Sequence, residues 1–250
     1  MMVCNYKKGK ERVDEILDNV ISIEEAKKIP KDDNFTFDNG YYAWVTAIFV
    51  DIRDSSELFS KKGLDDKEKT AKLIRAFTSE IIEILRDDDN LREIGIRGDC
   101  VYAVYTTPNK SDEYNCADKT FHINTYLKML NKLLENKGYL PFKAGIGMAT
   151  AQELVIKAGR KNTGINNKVW IGNAVTRASN LSSLGQKVKD ERLFFSSTSY
   201  TNFIELMKER NSDKDVEKWF NKYIDDNGDI SYYANIIKTS FNDWIDSGMK

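Results

Sequence analysis

The stretch Tyr41–Asp51 (YYAWVTAIFVD) constrains this chain more than any other. It is nearly all apolar, rich in aromatic and β-branched side chains, and shows no polar alternation. That is the pattern of a strand covered on both faces. Such a strand needs neighbours on either side and helices above and below. The chain must therefore build a central sheet, and its 250 residues with 41% hydrophobic content are enough to cover one. The strand ends at an acid and runs into IRDSS, where Asp54, Ser55 and Ser56 are helix-start candidates.

The rest of the chain supplies the cover. Leu73, Ile74, Phe77, Ile81, Ile84 and Leu85 share one side of a helix predicted over 65–86. Leu91–Ile96 and Val101–Tyr105 read as a hairpin with Asp99 at its tip. A helix is predicted over 112–136. Strands follow at Phe142–Met148 and Gln152–Gly159, then a short strand running into a helix within 169–185. The C-terminal part carries a strand at Leu193–Ser196, short helices within 198–220 and a hairpin over Asp225–Tyr233. The N-terminal segment reads as an amphipathic helix through Val13, Ile16, Leu17, Val20 and Ile21. The expected class is α+β: a mixed, mainly antiparallel sheet flanked by helices. The expected organisation is a docked N-terminal appendage (1–40), a core domain (41–200) and a C-terminal extension packed on it (201–250).

Composition excludes several functions. With 38 Lys and Arg against 39 Asp and Glu, the net charge is -1, which argues against direct nucleic-acid binding. No apolar run approaches a bilayer span, and the N-terminus lacks a signal-peptide pattern, so a cytoplasmic protein with no membrane partner is expected. Three cysteines without a CxxC pair argue against a disulfide framework and a zinc site. A single His leaves chemistry to carboxylates, cations, hydroxyls or metals held by oxygen.

Familiar loops fail on inspection. GRKNTG (159–164) lacks the Lys-Ser/Thr of a phosphate loop, and Gly145-Ile146-Gly147 lacks the third glycine of a dinucleotide fingerprint. Asp225, Asn227 and Asp229 start like a calcium loop, but Ile230 and Ile236 stand where Gly and Glu belong, so a hairpin turn is expected. Asp51 and Asp99 remain. Carboxylates at the ends of adjacent strands can hold two divalent cations, Mg²⁺ or Mn²⁺ by their oxygen-only ligation. Caps and turns use the same residues, so spacing alone leaves both readings open.

Four blocks together are more specific: FVDIRDSS (49–56), IRGDCVYAVY (96–105), KAGIGMATAQELVIKAG (143–159) and VWIGNAVTRASNLSSLG (169–185). In order and spacing they resemble a class III nucleotidyl cyclase domain. The resemblance implies a ferredoxin-like core, with Asp51, Asp99 and the Ile52 carbonyl as ligands of two divalent cations. It implies that the Arg53–Ser56 turn, with Ser55 and Ser56, cradles a triphosphate. It also implies a head-to-tail homodimer in which one subunit supplies the acids and the other the 169–180 segment.

The departures from the family are as informative. Gly95 stands where purine cyclases carry an adenine-reading Lys, and Val169 where a second base-reading residue lies. Thr176 replaces the catalytic Asn, and Asn180 replaces the Arg that stabilises the transition state. Arg177, one turn earlier, is the candidate substitute. Arg97 is a candidate nucleotide contact, and Thr46 with Trp44 is expected to line the base pocket. An intact metal half without the purine readers is similar to the bacterial pyrimidine cyclases of the anti-phage Pycsar system. The KAGRKNTGIN loop and Asn242-Asp243-Trp244 add to that likeness. UTP is the expected substrate and cyclic UMP the expected product, acting on a downstream effector. CTP, a purine cyclase with a divergent pocket, and an inactive binding module are the competing readings.

Overall fold

The computed structural model describes residues 5–54, 67–210 and 215–250. Ser55 and Ser56 lie outside the described residues. Two helices and two strands start the chain: α1 (Tyr6–Asp18), β1 (Ser22–Glu25), β2 (Asn39–Ile52) and α2 (Lys67–Arg86). The hairpin β3 (Leu91–Arg97) and β4 (Cys100–Thr106) leads to α3 (Lys110–Asn136). Next come β5 (Ala144–Gly159), β6 (Asn166–Gly172), α4 (Ala174–Ser182), β7 (Leu193–Ser196) and α5 (Ser197–Arg210). The chain closes with β8 (Phe220–Ile224), β9 (Ile230–Ala234) and α6 (Thr239–Asp246).

The apolar run becomes β2, at the centre of the sheet. The order is β3-β4-β2-β5-β7-β9-β8, with β1 added to β2 and β6 added to β5. Pairing is antiparallel except for β1 with β2 and β5 with β7. This is the mixed, mainly antiparallel sheet expected. The strand period of two sends Ile48, Val50 and Ile52 to one face and Val45, Ala47 and Phe49 to the other. The first face is covered by α2, α3 and α5. Among the described residues, the second carries the short α4 with Ile29 and Phe35 of the N-terminal segment. Asp51 follows the parity of Phe49, so it lies on the face that carries α4.

The short helices expected within 198–220 are α5 and a 3-10 turn at Val216–Trp219. Two elements differ from expectation. The two strands expected over 142–159 are one 16-residue strand, β5. Nothing in Ala149-Thr150-Ala151 breaks it, and it is long because it pairs with β2, β6 and β7 in turn. The N-terminal helix forms, but α1 buries no residue; the segment attaches through β1, Ile29 and Phe35. At the other end, α6 is held to α3 by Lys128 on Asp246 and by buried Ile245. No described helix is long and apolar enough to cross a membrane.

One buried acid gives the fold a pH dependence. Glu113 of α3 accepts from Asn202 at 2.8 Å, yet burial pushes its carboxyl up to about 7. A raised carboxyl favours the native state below the ordinary carboxylate range, and that contribution is lost as pH climbs through the folded value. Glu113→Gln is therefore expected to flatten the fall in unfolding free energy between about pH 5 and 8, by on the order of 3 kcal/mol. Denaturant melts across that range check it; equal slopes for both proteins would overturn the assignment.

Candidate active site

The acids meet at one corner of the sheet. Asp51 pairs with Cys100 across β2 and β4, and Asp99 sits in the turn beside that pair. Their charges couple: burial is the main force raising the Asp51 carboxyl, Arg53 opposes it, and Asp99 adds to the rise. Arg53 binds Asp51 Oδ2, and its guanidinium donates to the Ser183 carbonyl at 2.8 Å. Asp54 then turns the chain away at a φ of 55°, a left-handed conformation that Asp tolerates better than most residues. Asp51 Oδ1 has no partner among the described residues, and neither does the Asp99 side chain. Two anionic groups with unused oxygens and no nitrogen or sulfur ligand suit Mg²⁺ or Mn²⁺. Cys100 beside them is inert, its thiol pushed up to about 12 by burial and by Asp51.

A second group of candidates lies on α4. Thr176, Arg177 and Asn180 line a cleft of about 560 Å³ with Asn173, Ser197, Gly228, Asp229 and Ile230. Neither Asp51 nor Asp99 lines it. Arg177 is held by Asp229 at 3.1 Å and Asp225 at 3.5 Å, both in the β8–β9 turn. The start of α4 is fixed by Glu153, whose buried carboxylate accepts from the Ala174 and Val175 amides. The α4 face and the acid corner are thus two separate groups of candidate residues within one chain.

A third arrangement surrounds Gly95, the cross-strand partner of Tyr102. The Tyr102 ring lies across it: a Cβ at position 95 would sit 2.9 Å from the ring. The Tyr102 hydroxyl donates to Glu93 Oε1 at 2.7 Å, and Trp170 Nε1 donates to Glu93 Oε2 at 2.7 Å. Phe49 stacks on the ring at 5.3 Å. Burial and Glu93 push the Tyr102 hydroxyl up to about 12, so it remains a donor at neutral pH.

Several expectations need correction. Thr46 does not line a base pocket on the acid face. Its parity sends it to the opposite face, where it is buried and bonded to Thr107 at 2.9 Å and Thr150 at 2.8 Å. Trp44 shares that parity. Arg53 does not offer a free amide to phosphate, because its N–H donates to the Lys143 carbonyl at 2.8 Å. Val169 points away from Trp170 on β6 and is 40% exposed. Arg97 is exposed beside the acids and forms no salt bridge among the described residues. Sequence reasoning missed Tyr102, Glu93 and the clamp on Arg177. Counting back from the Gly98-Asp99 turn would have paired Gly95 with Tyr102. No local signal could have joined Arg177 to residues some 50 positions away.

Comparison with known proteins identifies the family. Residues 38–203 match the adenylate and guanylate cyclase catalytic domain. A uridylate cyclase of Treponema porcinum is 48% identical over 251 aligned residues, covering 100% of this chain and 83% of the relative. A uridylate cyclase of Gulbenkiania mobilis is 35% identical, covering 73% of this chain and 72% of the relative. The fold matches a bacterial light-regulated adenylyl cyclase with a TM-score of 0.59 at 19% identity, covering 82% of this chain and 98% of that one. The match over residues 38–203 and these relatives place the chain in the adenylate and guanylate cyclase catalytic domain family.

Proposed function

We propose that this chain is a uridylate cyclase, converting UTP to 3′,5′-cyclic UMP and pyrophosphate. The observation that carries the reading is the paired Asp51 and Asp99 at one corner of the sheet, with oxygens that no described residue uses. The relatives reported above supply the substrate. Asp51, Asp99 and the Ile52 carbonyl would hold two divalent cations, Mn²⁺ or Mg²⁺, which when bound neutralise the triphosphate and acidify the ribose hydroxyl.

The chain's own groups do the positioning. Arg53 opposes the burial that raises the Asp51 carboxyl and binds its Oδ2, leaving Oδ1 for ligation. Arg97 is an exposed cation beside the acids, suited to phosphate oxygens. The 3′ oxygen attacks the α-phosphorus and its proton passes to solvent, while the bond from that phosphorus to the bridging oxygen breaks to release pyrophosphate. A head-to-tail homodimer would set the Thr176–Arg177–Asn180 face of one subunit over the acids of the other. Arg177 would then exchange its aspartates for developing phosphate charge. By likeness to the Pycsar cyclases, the product serves as a cytoplasmic second messenger of anti-phage defence, read by a separate effector.

The direct test incubates purified protein and Mn²⁺ with each of ATP, GTP, CTP and UTP, and identifies products by chromatography and mass. Cyclic UMP as the main product is expected. Cyclic CMP would transfer the reading to a cytidylate cyclase, a cyclic purine would overturn the pyrimidine assignment, and no cyclic product would overturn the activity.

A further inference from the structure

Two apolar surfaces of this chain lie open, and they match. One is on α1, where Tyr6, Val13, Ile16 and Leu17 share one side and all are exposed. A 13-residue helix that buries no residue is too short to be stable alone in water. Its charges add to the problem. Lys7, Lys8, Lys10 and Arg12 crowd the N-terminal half and Asp14, Glu15 and Asp18 the C-terminal half, against the helix dipole. That order serves something outside the helix. The other surface is the far end of the sheet, on the face that α2, α3 and α5 cover elsewhere. There β1, β2, β5 and β6 lie side by side. Ile23, Ile156 and Val169 form one row, the two isoleucines closing over Gly40. Tyr42, Leu154 and Ile171 form the next, with Glu25 at its β1 end. None of these side chains packs on either buried core among the described residues.

We propose that α1 of one copy seats on this uncovered sheet end of a second copy and receives that copy's α1 in exchange. Lengths agree: four strands at ~4.8 Å spacing span about 19 Å, and the 13 residues of α1 about 20 Å. Charges choose the copy. Glu25 borders the patch on β1, and Arg160 follows the end of β5 at the opposite corner. A helix fits with its basic half towards Glu25 and its acidic half towards Arg160. On its own sheet α1 cannot take that direction. Only Asn19, Val20 and Ile21 join it to β1, so a fold-back brings the acidic end to the Glu25 side. The joint also aims α1 off the body. Asn19 is extended at φ -73° and ψ 141°, its amide donates to Asp38 Oδ1 at 2.8 Å, and the Ser22 N–H donates to the Asp38 carbonyl at 3.0 Å. One helix face alone is smaller than a stable interface needs, so the exchange is reciprocal. α1 lies outside the matched residues 38–203, and Asp51 and α4 occupy the opposite sheet face. The contact is therefore separate from the head-to-tail arrangement and stands without the cyclase reading.

The test weighs the full chain by light scattering at micromolar concentration. Leu17→Asp and Ile171→Asp place a charge on each of the two surfaces, and each is expected to halve the particle mass of wild type. If Ile171→Asp does not fold, as read by circular dichroism, Leu17→Asp on the exposed helix carries the test. A second experiment locates the helix. In a Cys4→Ser background, Leu17→Cys combined with Ile171→Cys is treated with a short bismaleimide. A cross-link between chains is expected, seen as a doubled mass on a denaturing gel, and absent from either single variant. Wild-type mass in the aspartate variants would overturn the proposal. A cross-link confined to one chain would overturn it too, because α1 then folds back on its own sheet. So would a doubled mass with Leu17→Cys alone, because α1 then pairs with α1.

Discussion

Asp99→Asn is expected to reduce cyclisation of UTP roughly a thousandfold while leaving the fold as stable as wild type. The asymmetry comes from what each acid touches. Asp99 makes no ion pair or side-chain hydrogen bond among the described residues, and its main electrostatic effect is to disfavour ionisation of Asp51. Its amide would relieve that repulsion and leave nothing unpaired. Unfolding free energy should change by less than about 0.5 kcal/mol. Asp51→Asn is expected to be as inactive but less stable, by about 1–2 kcal/mol. It strips the counter-charge from Arg53, whose side chain is 9% exposed and whose Nε is already buried without an acceptor. Product assays with thermal melts on both variants check this. Turnover retained in Asp99→Asn would remove Asp99 from the site, and an Asp51→Asn protein as stable as wild type would refute the Arg53 account.

The contrast also shows which parts of the site were legible in the sequence. Asp51 and Asp99 could be singled out as candidates because each follows a local signal: an acid ending an apolar strand, and a Gly-Asp turn between two alternating runs. The central strand was legible for the same reason, its apolar run becoming β2 with a margin of two residues at the start and one at the end. Arg53 was misread because its side chain returns to Asp51 and crosses to Ser183, a contact spanning 130 positions. Thr46 was misread because adjacency in sequence was given more weight than parity. A residue five positions before Asp51 on a strand points to the other face. Register decides what a strand residue can touch, and register was available only where a tight turn fixed it.

Gly145-Ile146-Gly147 is the sharpest case, and it carries the second large expected effect. As a fragment of a nucleotide loop it fails, yet the glycines are required. A Cβ on Gly147 would lie 2.1 Å from the Ala178 carbonyl and 2.3 Å from the Ser182 amide. On Gly145 it would lie 2.0 Å from the Ser182 carbonyl. These are backbone atoms of α4, so no rotamer change relieves the contact; the helix must lift from β5. Gly147→Ala is therefore expected to destabilise the protein by about 3 kcal/mol, lowering Tm by roughly 6–12 °C. The damage should reach chemistry as well. α4 bears Thr176, Arg177 and Asn180, and the adjoining Ser183 carbonyl holds Arg53 against Asp51, so one methyl displaces both groups of candidate residues together. Activity measured well below the melting temperature should still fall, by roughly a hundredfold if the positioning is lost. Gly9→Ala is the control: it lies in exposed α1, where a Cβ meets only the Arg12 guanidinium at 3.9 Å, and better helix propensity should raise stability by up to about 1 kcal/mol. If Gly147→Ala melts within about 2 °C of wild type, α4 does not pack on β5 in the way that sets the site.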